Sequence, residues 1–206
     1  MKQPEFLYFD LGRVIVDFDI EVMLRQIAEV AETDTQTVGN ALFDLDLQRR
    51  YEAGKVSTRE FYEEFCRETG TSPKFEALLH AGSDIFKMKN DMLPLIEGLE
   101  RAGYSLGILS NTCDAHWEHC LRRFSVLDQS FPVHALSYRM GVAKPDAEAY
   151  EAAAELAGLL PTDIFFVDDL EANVAGAKAL GIDAVQYVST PKLVDDLRER
   201  GLRFDC

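Results

Sequence analysis

Six polar residues that could act together each follow a short apolar segment of this 206-residue chain: Asp10, Ser110 with Asn111, Lys144, and Asp168 with Asp169. Carboxylate oxygens are the hard ligands that Mg²⁺ prefers, and a lysine adds a compact positive charge. A carboxylate that approaches a phosphate dianion meets a repulsion of roughly 4 kcal/mol per pair of unit charges at 4 Å and intermediate dielectric. A divalent cation and Lys144 would remove that barrier, while the Ser110 hydroxyl could bind phosphoryl oxygens. The set therefore predicts a site for phosphoryl transfer.

The elements that must position these residues form an alternating pattern. Five apolar segments of strand length predict strands: Glu5–Phe9, Tyr104–Leu109, Phe131–Leu136, Ile164–Val167 and Ala184–Val188. Their nearly continuous apolar character is typical of parallel strands covered on both faces. Helical patterns follow them at Leu93–Ala102, Ala115–Phe124, Asp146–Ala157, Glu171–Leu180 and Pro191–Arg200. We therefore expect an α/β fold with a Rossmann-like parallel sheet, whose strands end at one shared edge where ligands bind.

One segment interrupts this alternation. Its residues read as four helices, at Ile20–Ala31, Thr35–Tyr51, Thr58–Thr69 and Pro73–Ala81, with no convincing strand among them. The aromatic residues in this segment supply bulk for a small bundle with its own core. The sequence thus predicts a catalytic core from residues 1–16 and 90–206 and an inserted all-helical cap domain from residues 17–89.

Four ordered motifs resemble those of the haloacid dehalogenase superfamily of hydrolases. They are YFDLGRVIVDFD, GILSNT, GVAKPD and FFVDDLEANVAGAKALG, and together they span the predicted sheet domain. The insertion falls where that superfamily places its helical C1 cap. The resemblance implies that Asp10 is a nucleophile that forms a covalent aspartyl intermediate, and that Ser110, Asn111 and Lys144 bind the phosphoryl group.

The same resemblance implies a Mg²⁺ cofactor. Its expected ligands are the Asp10 side chain, the Gly12 carbonyl and Asp169, with Asp168 close behind through water. Asn173, on the helix that follows, is expected either to order this end of the site or to serve as a structural cap. An acidic pair before a helix also interacts favourably with the helix dipole, which would be a purely structural role for Asp168 and Asp169.

One position departs from the superfamily pattern. Phosphatases of this kind usually carry a second Asp two residues after the nucleophile, which protonates the leaving oxygen, and this chain has Gly12 there. Hydrolysis could persist, as in the branch of small sugar-phosphate phosphatases that open with Asp-Leu-Gly, with Asp17, Asp19, a cap residue or water replacing the acid. The alternatives are a 2-haloacid dehalogenase or phosphonate hydrolase, and a catalytically silent module that binds phosphorylated metabolites.

The acidic pair favours the first reading. A dehalogenase attacks carbon without a metal, and keeping Asp168 and Asp169 beside Asp10 without a cation would be electrostatically costly. We therefore expect a Mg²⁺-dependent phosphatase that hydrolyses small phosphorylated metabolites, with sugar phosphates as the expected class. A cap of this size would restrict the opening and favour small substrates. Three basic residues near its YEAGKVS turn are candidate substrate contacts: Arg49, Arg50 and Lys55.

Another group of residues has the side-chain types of a zinc site, but their spacing along the chain does not suit one. Cys113, His116, His119 and Cys120 lie on one predicted helix, where Cys113 and Cys120 are about 10 Å apart along the axis at 1.5 Å per residue. Four ligands about 2.0–2.3 Å from one zinc cannot easily come from such a row. We expect ordinary packing or solvent exposure for these side chains. Trp117, near the rim of the cleft, is expected to be a packing residue, with a substrate contact as the alternative.

Composition narrows the remaining function classes. The chain has 36 acidic and 21 basic residues and a formal net charge of −15, which argues against nonspecific nucleic-acid binding and against attachment to anionic lipid. No segment reaches the roughly 18 apolar residues that span a bilayer. The first residues lack the pattern of a secretory signal, and the four cysteines are too scattered for a disulfide scaffold. These features predict a cytoplasmic monomer or homodimer.

Overall fold

A parallel sheet of five strands forms the centre of the protein, which was studied as a computed structural model that describes residues 3–206. The sheet strands are β1 (Phe6–Phe9), β4 (Ser105–Ser110), β5 (Val133–Leu136), β6 (Ile164–Asp168) and β7 (Asp183–Gln186). Two further strands, β2 (Val16–Asp17) and β3 (Lys87–Met88), form a separate antiparallel ribbon. The sheet order is β5-β4-β1-β6-β7, with every neighbouring pair parallel. The predicted α/β fold with a Rossmann-like sheet is confirmed.

Burial explains why the apolar segments become strands. All residues of β1 and β6 are buried, as are five of the six in β4, because both faces of the sheet are covered. The register pairs Phe9 with both Ile108 and Val167, so the three central strands end at about the same level. The residues that follow them therefore share one edge of the sheet.

The sheet is covered by helices close to the predicted segments. The main ones are α6 (Leu93–Arg101), α7 (Asp114–Arg123), α10 (Ala147–Ala157), α11 (Glu171–Ala179) and α12 (Thr190–Glu199). Two helices of four residues each, α8 (Val126–Gln129) and α9 (Ser137–Met140), and a 3₁₀ turn at Pro161–Asp163 lie in the connections. None of the helices within residues 3–206 combines the length and the apolar character that crossing a bilayer requires.

The inserted segment is helical between β2 and β3. It contains α1 (Ile20–Val30), α2 (Thr35–Gly39), a π-helical turn (Asn40–Asp44), α3 (Leu47–Glu52), α4 (Thr58–Thr69) and α5 (Phe75–Ser83). Asp19 caps α1 by accepting hydrogen bonds from the backbone amides of Glu21 and Val22. A capping box between Ser57 and Glu60 begins α4.

The structure divides one helix that the sequence predicts as continuous. The segment expected at Thr35–Tyr51 becomes α2, the π-helical turn and α3. Asp46, which precedes α3, has φ 62° and therefore cannot continue an α-helix. The periodic apolar pattern continues through this break, so the pattern alone does not reveal it.

The helical segment shares a core with one face of the sheet. Leu7 and Phe9 of β1 belong to the same continuous apolar cluster as Met23, Phe61 and Phe65 of the insertion. The alternate residues of β1 point to the opposite face, where they pack with α10 and α11. The predicted separate core is therefore not observed, because the insertion shares one apolar cluster with the sheet domain. Its helices α3 and α5 contact α9 and α7 of that domain.

Candidate active site

Three carboxylates meet at the shared edge of the sheet. Asp10 follows β1, Asp168 ends β6 and Asp169 comes next, and one oxygen from each lies within 4.8 Å of the others. The predicted convergence of these residues, which are 158 positions apart in the chain, is thus observed. Three carboxylates this close repel one another, so their arrangement requires positive charge nearby.

Lys144 supplies part of that charge. Its Nζ donates hydrogen bonds to Oδ1 of Asp10 at 2.9 Å, to Oδ2 of Asp168 at 2.6 Å and to the carbonyl of Leu109 at 2.8 Å. Burial alone would lower the pKa of Lys144, but its attraction to Asp10 and Asp168 raises the pKa above the usual value. Lys144 therefore remains charged within the site.

Asp10 is the carboxylate that burial affects most clearly. Burial raises the pKa of Asp10 to about 6, while attraction to Lys144 and a hydrogen bond from Ser110 limit the rise. Ser110 itself is buried at the end of β4. The structure thus places the Lys144 amine on the Asp10 carboxylate, with the buried Ser110 hydroxyl nearby at the end of the neighbouring strand.

The two adjacent aspartates have different environments. Asp168 is fully buried, and its oxygens accept hydrogen bonds from the backbone amide of Leu170 at 2.8 Å and from Nδ2 of Asn173 at 3.0 Å, in addition to Lys144. Asp169 is half-buried, and burial followed by repulsion from Asp168 raises its pKa. With one lysine among three carboxylates, this donor set fits a hard divalent cation such as Mg²⁺.

Asn111 contacts the backbone on which Lys144 is mounted. Its Nδ2 donates to the Lys144 carbonyl at 2.8 Å, and its Oδ1 accepts from the Lys144 amide at 2.9 Å. Both polar atoms of the Asn111 side chain are therefore engaged in holding the segment after β5. This contact connects two of the predicted motifs directly.

A cavity of about 110 Å³ lies between the helical segment and the ends of β1 and β4, where Leu11, Gly12, Ser110 and Asn111 line it. Gly12 and Ser110 belong to its floor. Most of the remaining wall is apolar, but α3 contributes Gln48 and Glu52, and α7 contributes His116. The sequence did not predict Gln48 or Glu52 as site residues, because which side of α3 faces the sheet depends on the packing of the insertion.

The basic residues of the insertion that were expected to contact substrate lie elsewhere. Arg49 pairs with Asp46 on the surface, Arg50 pairs with Glu64, and Lys55 donates to the Gly141 carbonyl at 3.1 Å. None of the three lines the cavity. Their charges are used in local contacts instead.

Two proposed replacements for the missing acid also lie outside the cavity wall. Asp17 belongs to β2 and pairs with Lys89 at 3.6 Å, whereas Asp19 is the N-cap residue of helix α1. Gly12 has a physical reason to lack a side chain, because a Cβ there would lie 2.9 Å from Cε1 of Phe18. Asp17, Asp19, a residue of the helical insertion and water therefore all stay predicted candidates for the acid.

The residues that resemble a zinc site are mainly packed into the interior. Cys113 and Cys120 are buried free thiols, and burial raises the pKa of both. His116 contacts the Gly82 carbonyl through Nε2 at 3.1 Å. Trp117 is fully buried with its ring against His134, which confirms its predicted packing role.

A parallel sheet with a carboxylate cluster at its edge and a helical insertion beside it is typical of hydrolases with a Rossmann-like core, and comparisons with known proteins agree. A model of the haloacid dehalogenase-like hydrolase family matches residues 9–181. The chain therefore belongs to the haloacid dehalogenase-like hydrolases and is an enzyme of that family. This result confirms the resemblance carried by the four motifs.

Individual relatives are similar over most of their length. The D-ribitol-5-phosphate phosphatase of Bacteroides thetaiotaomicron is 27% identical over 187 residues, which cover 87% of this chain and 90% of that protein. A haloacid dehalogenase family enzyme of the same organism, solved with magnesium and inorganic phosphate, is 28% identical with a TM-score of 0.81, covering 90% of this chain and 94% of that one. A predicted hydrolase of the family from Porphyromonas gingivalis has a TM-score of 0.82 at 25% identity, covering 95% and 98%.

Proposed function

We propose that this protein is a Mg²⁺-dependent phosphatase that hydrolyses small phosphorylated metabolites, sugar phosphates being the expected class. The observation that carries the proposal is the meeting of Asp10, Asp168 and Asp169 around Lys144. Phosphoryl transfer needs mainly positioning and electrostatic stabilisation, and this cluster offers both. The relatives that are named phosphatases or bind magnesium and phosphate support the same reaction class.

Asp10 is the proposed nucleophile. Its oxygen forms a bond to phosphorus as the bond from phosphorus to the leaving oxygen breaks, and water then hydrolyses the aspartyl phosphate to release phosphate and restore Asp10. Lys144 holds the Asp10 carboxylate in place and neutralises charge on the phosphoryl oxygens, which Ser110 also binds. Asn111 supports this arrangement through the Lys144 backbone.

Mg²⁺ would be held by the Asp10 side chain, the Gly12 carbonyl and Asp169, with Asp168 acting through water. The ion would supply positive charge that brings phosphate and carboxylate together. A dehalogenase reaction, which uses no metal, would leave three neighbouring carboxylates without a divalent cation, so the phosphatase proposal explains the acidic pair better. A silent module that binds phosphorylated metabolites is distinguished from a phosphatase by the absence of turnover.

The helical segment within residues 17–89 is proposed to be the cap, and residues 1–16 and 90–206 the catalytic core. The apolar residues that this segment adds to the cavity wall support this division, because a cap over the site would exclude water from the reaction. The acidic character of the whole chain supports a small-molecule substrate rather than nucleic acid. We further propose that the protein acts in the cytoplasm as a monomer or homodimer.

The test is hydrolysis of p-nitrophenyl phosphate with and without Mg²⁺. We expect steady turnover with Mg²⁺, loss of turnover in excess EDTA, and recovery when Mg²⁺ is restored. Asp10→Asn should abolish turnover, whereas the exposed-residue control Asp195→Asn should retain it. Equal rates for Asp10→Asn and the wild type, or release of halide from a 2-haloacid without metal, would refute the proposal.

A further inference from the structure

Glu52 is an acidic side chain in the cavity wall without a compensating cation. It ends α3, is partly buried, and accepts a hydrogen bond from Nε2 of Gln48 at 2.7 Å. Across residues 3–206, the ion pairs do not include Glu52. Burial raises the pKa of its carboxyl group. A carboxylate placed in this way is available to a molecule that enters the cavity.

The rest of the wall does not offset this charge. Within the described part of the chain, no lysine or arginine lines the cavity. The basic groups of the insertion are engaged elsewhere, as Arg50 is with Glu64 and Lys55 with Gly141. Burial lowers the pKa of His116 to about 4, so this neighbour is neutral near pH 7. When the Glu52 carboxyl group is ionised, the cavity wall on the side of the insertion is therefore negative.

The position of Glu52 is fixed by contacts with the sheet domain. The Ser137 hydroxyl donates to the Glu52 carbonyl at 2.5 Å, and the Tyr51 hydroxyl accepts from the Ala115 amide at 3.1 Å. Ser137 also accepts a hydrogen bond from the backbone amide of Thr112 at 3.0 Å. The end of α3 is thus attached to the segment after β4, which carries Ser110. Glu52 is a positioned wall residue rather than a freely moving surface group.

We infer that Glu52 determines the specificity of the proposed phosphatase, by accepting hydrogen bonds from hydroxyl groups of an uncharged leaving group and by repelling leaving groups that carry a carboxylate or a second phosphate. This inference rests on the proposed function. Like-charge repulsion of an unwanted substrate is an effective source of selectivity. The apolar walls suit the C–H faces of a polyhydroxy chain, and 110 Å³ is small beside the 300–1,000 Å³ of drug-sized pockets.

The experiment compares substrates that share a carbon skeleton and differ in charge. Glycerol phosphate and 3-phosphoglycerate form one such pair, and ribitol 5-phosphate and 5-phosphoribonate form a longer one. At pH 8 with saturating Mg²⁺, we expect wild-type kcat/KM to be at least tenfold higher for the member of each pair whose leaving group carries no carboxylate. Glu52→Gln keeps the size of the side chain but removes its charge, and should reduce this preference at least fivefold.

Glu29→Gln is the matched control, because Glu29 is an exposed residue of the insertion and the substitution removes the same charge. This variant should keep the wild-type preference. The inference is overturned if wild type hydrolyses both members of each pair equally, if Glu29→Gln changes the preference as much as Glu52→Gln, or if Glu52→Gln loses turnover on all substrates alike. Failure of the proposed function is distinct, since wild type would then not hydrolyse p-nitrophenyl phosphate either. The wild-type comparison tests the inference even if Glu52→Gln does not fold.

Discussion

Replacement of Lys144 by methionine should reveal the repulsion that this residue balances. The Lys144 side chain is 1% exposed and lies 2.9 Å from Asp10 and 2.6 Å from Asp168. Methionine has a similar length but neither charge nor donors. Lys144→Met therefore leaves buried carboxylates without their cation, while the apolar part of the side chain is retained.

The size of the effect follows from the geometry. At these distances and an effective dielectric of about 20, each ion pair contributes an attraction on the order of 6 kcal/mol. Most of this attraction offsets the cost of burying the charges, and removing one partner of a buried pair typically costs about 3–5 kcal/mol. In a protein of this length, 1 kcal/mol corresponds to roughly 2–4 °C. We expect Lys144→Met to lower the melting temperature by roughly 6–20 °C in EDTA.

Thermal unfolding in EDTA and in excess Mg²⁺ measures both parts of this reasoning. Mg²⁺ should narrow the gap between Lys144→Met and wild type, because the ion replaces part of the missing positive charge. Lys192→Met is a suitable control, since the Lys192 side chain is half exposed and its partner Asp196 also lies near Arg200, so the melting temperature should change little. If Lys144→Met unfolds at the same temperature as Lys192→Met, or if Mg²⁺ leaves the gap unchanged, the reasoning is wrong.

Two further predictions concern stability. Burial lowers the pKa of His116 from 6.5 to about 4, so its stabilising contribution is complete above pH 6.5 and is lost as the pH falls toward 4, by up to about 3 kcal/mol. His116→Gln should flatten this part of the pH dependence in urea unfolding, and an unchanged slope would contradict the burial argument. Gly54 and Gly70 both have positive φ, but a Cβ on Gly54 would lie 2.4 Å from the Tyr138 carbonyl, whereas Gly70 has open space. Gly70→Ala should lower the free energy of unfolding by about 1 kcal/mol, and Gly54→Ala should lower it clearly more. Equal midpoints of the two variants in urea unfolding would show that the contact between Gly54 and Tyr138 can relax.

The sequence predicts the sheet well because its strands are buried on both faces. Strand β6 was expected at Ile164–Val167 and lies at Ile164–Asp168, since a continuous apolar segment leaves few alternatives. Short elements lack such a signal. The ribbon of β2 and β3 has two residues in each strand, so no period can be read from it. The π-helical turn is hidden for a related reason, because the apolar pattern continues through it.

The site is predictable to the extent that topology determines it. Parallel strands bring their carboxyl ends to one edge, and this rule alone places Asp10, Ser110 and Asp168 together. The cavity wall does not follow from such a rule. Gln48 and Glu52 reach it because the insertion shares an apolar core with the sheet domain, and this core depends on many contacts that no short motif describes.

The position of Glu52 bears on the presence of Gly12 where related phosphatases usually carry a second aspartate. A side chain at Gly12 would press against Phe18, whose ring also carries the Arg13 guanidinium at 4.5 Å, so the space beside the nucleophile is already filled. Asp19 is committed to capping α1. The acidic side chain among the residues that line the cavity therefore comes from the insertion, as Glu52, and not from the nucleophile loop. Selection of the leaving group by the charge of Glu52 is a separate role from the proton transfer that an aspartate at position 12 would perform, so it does not replace the missing acid.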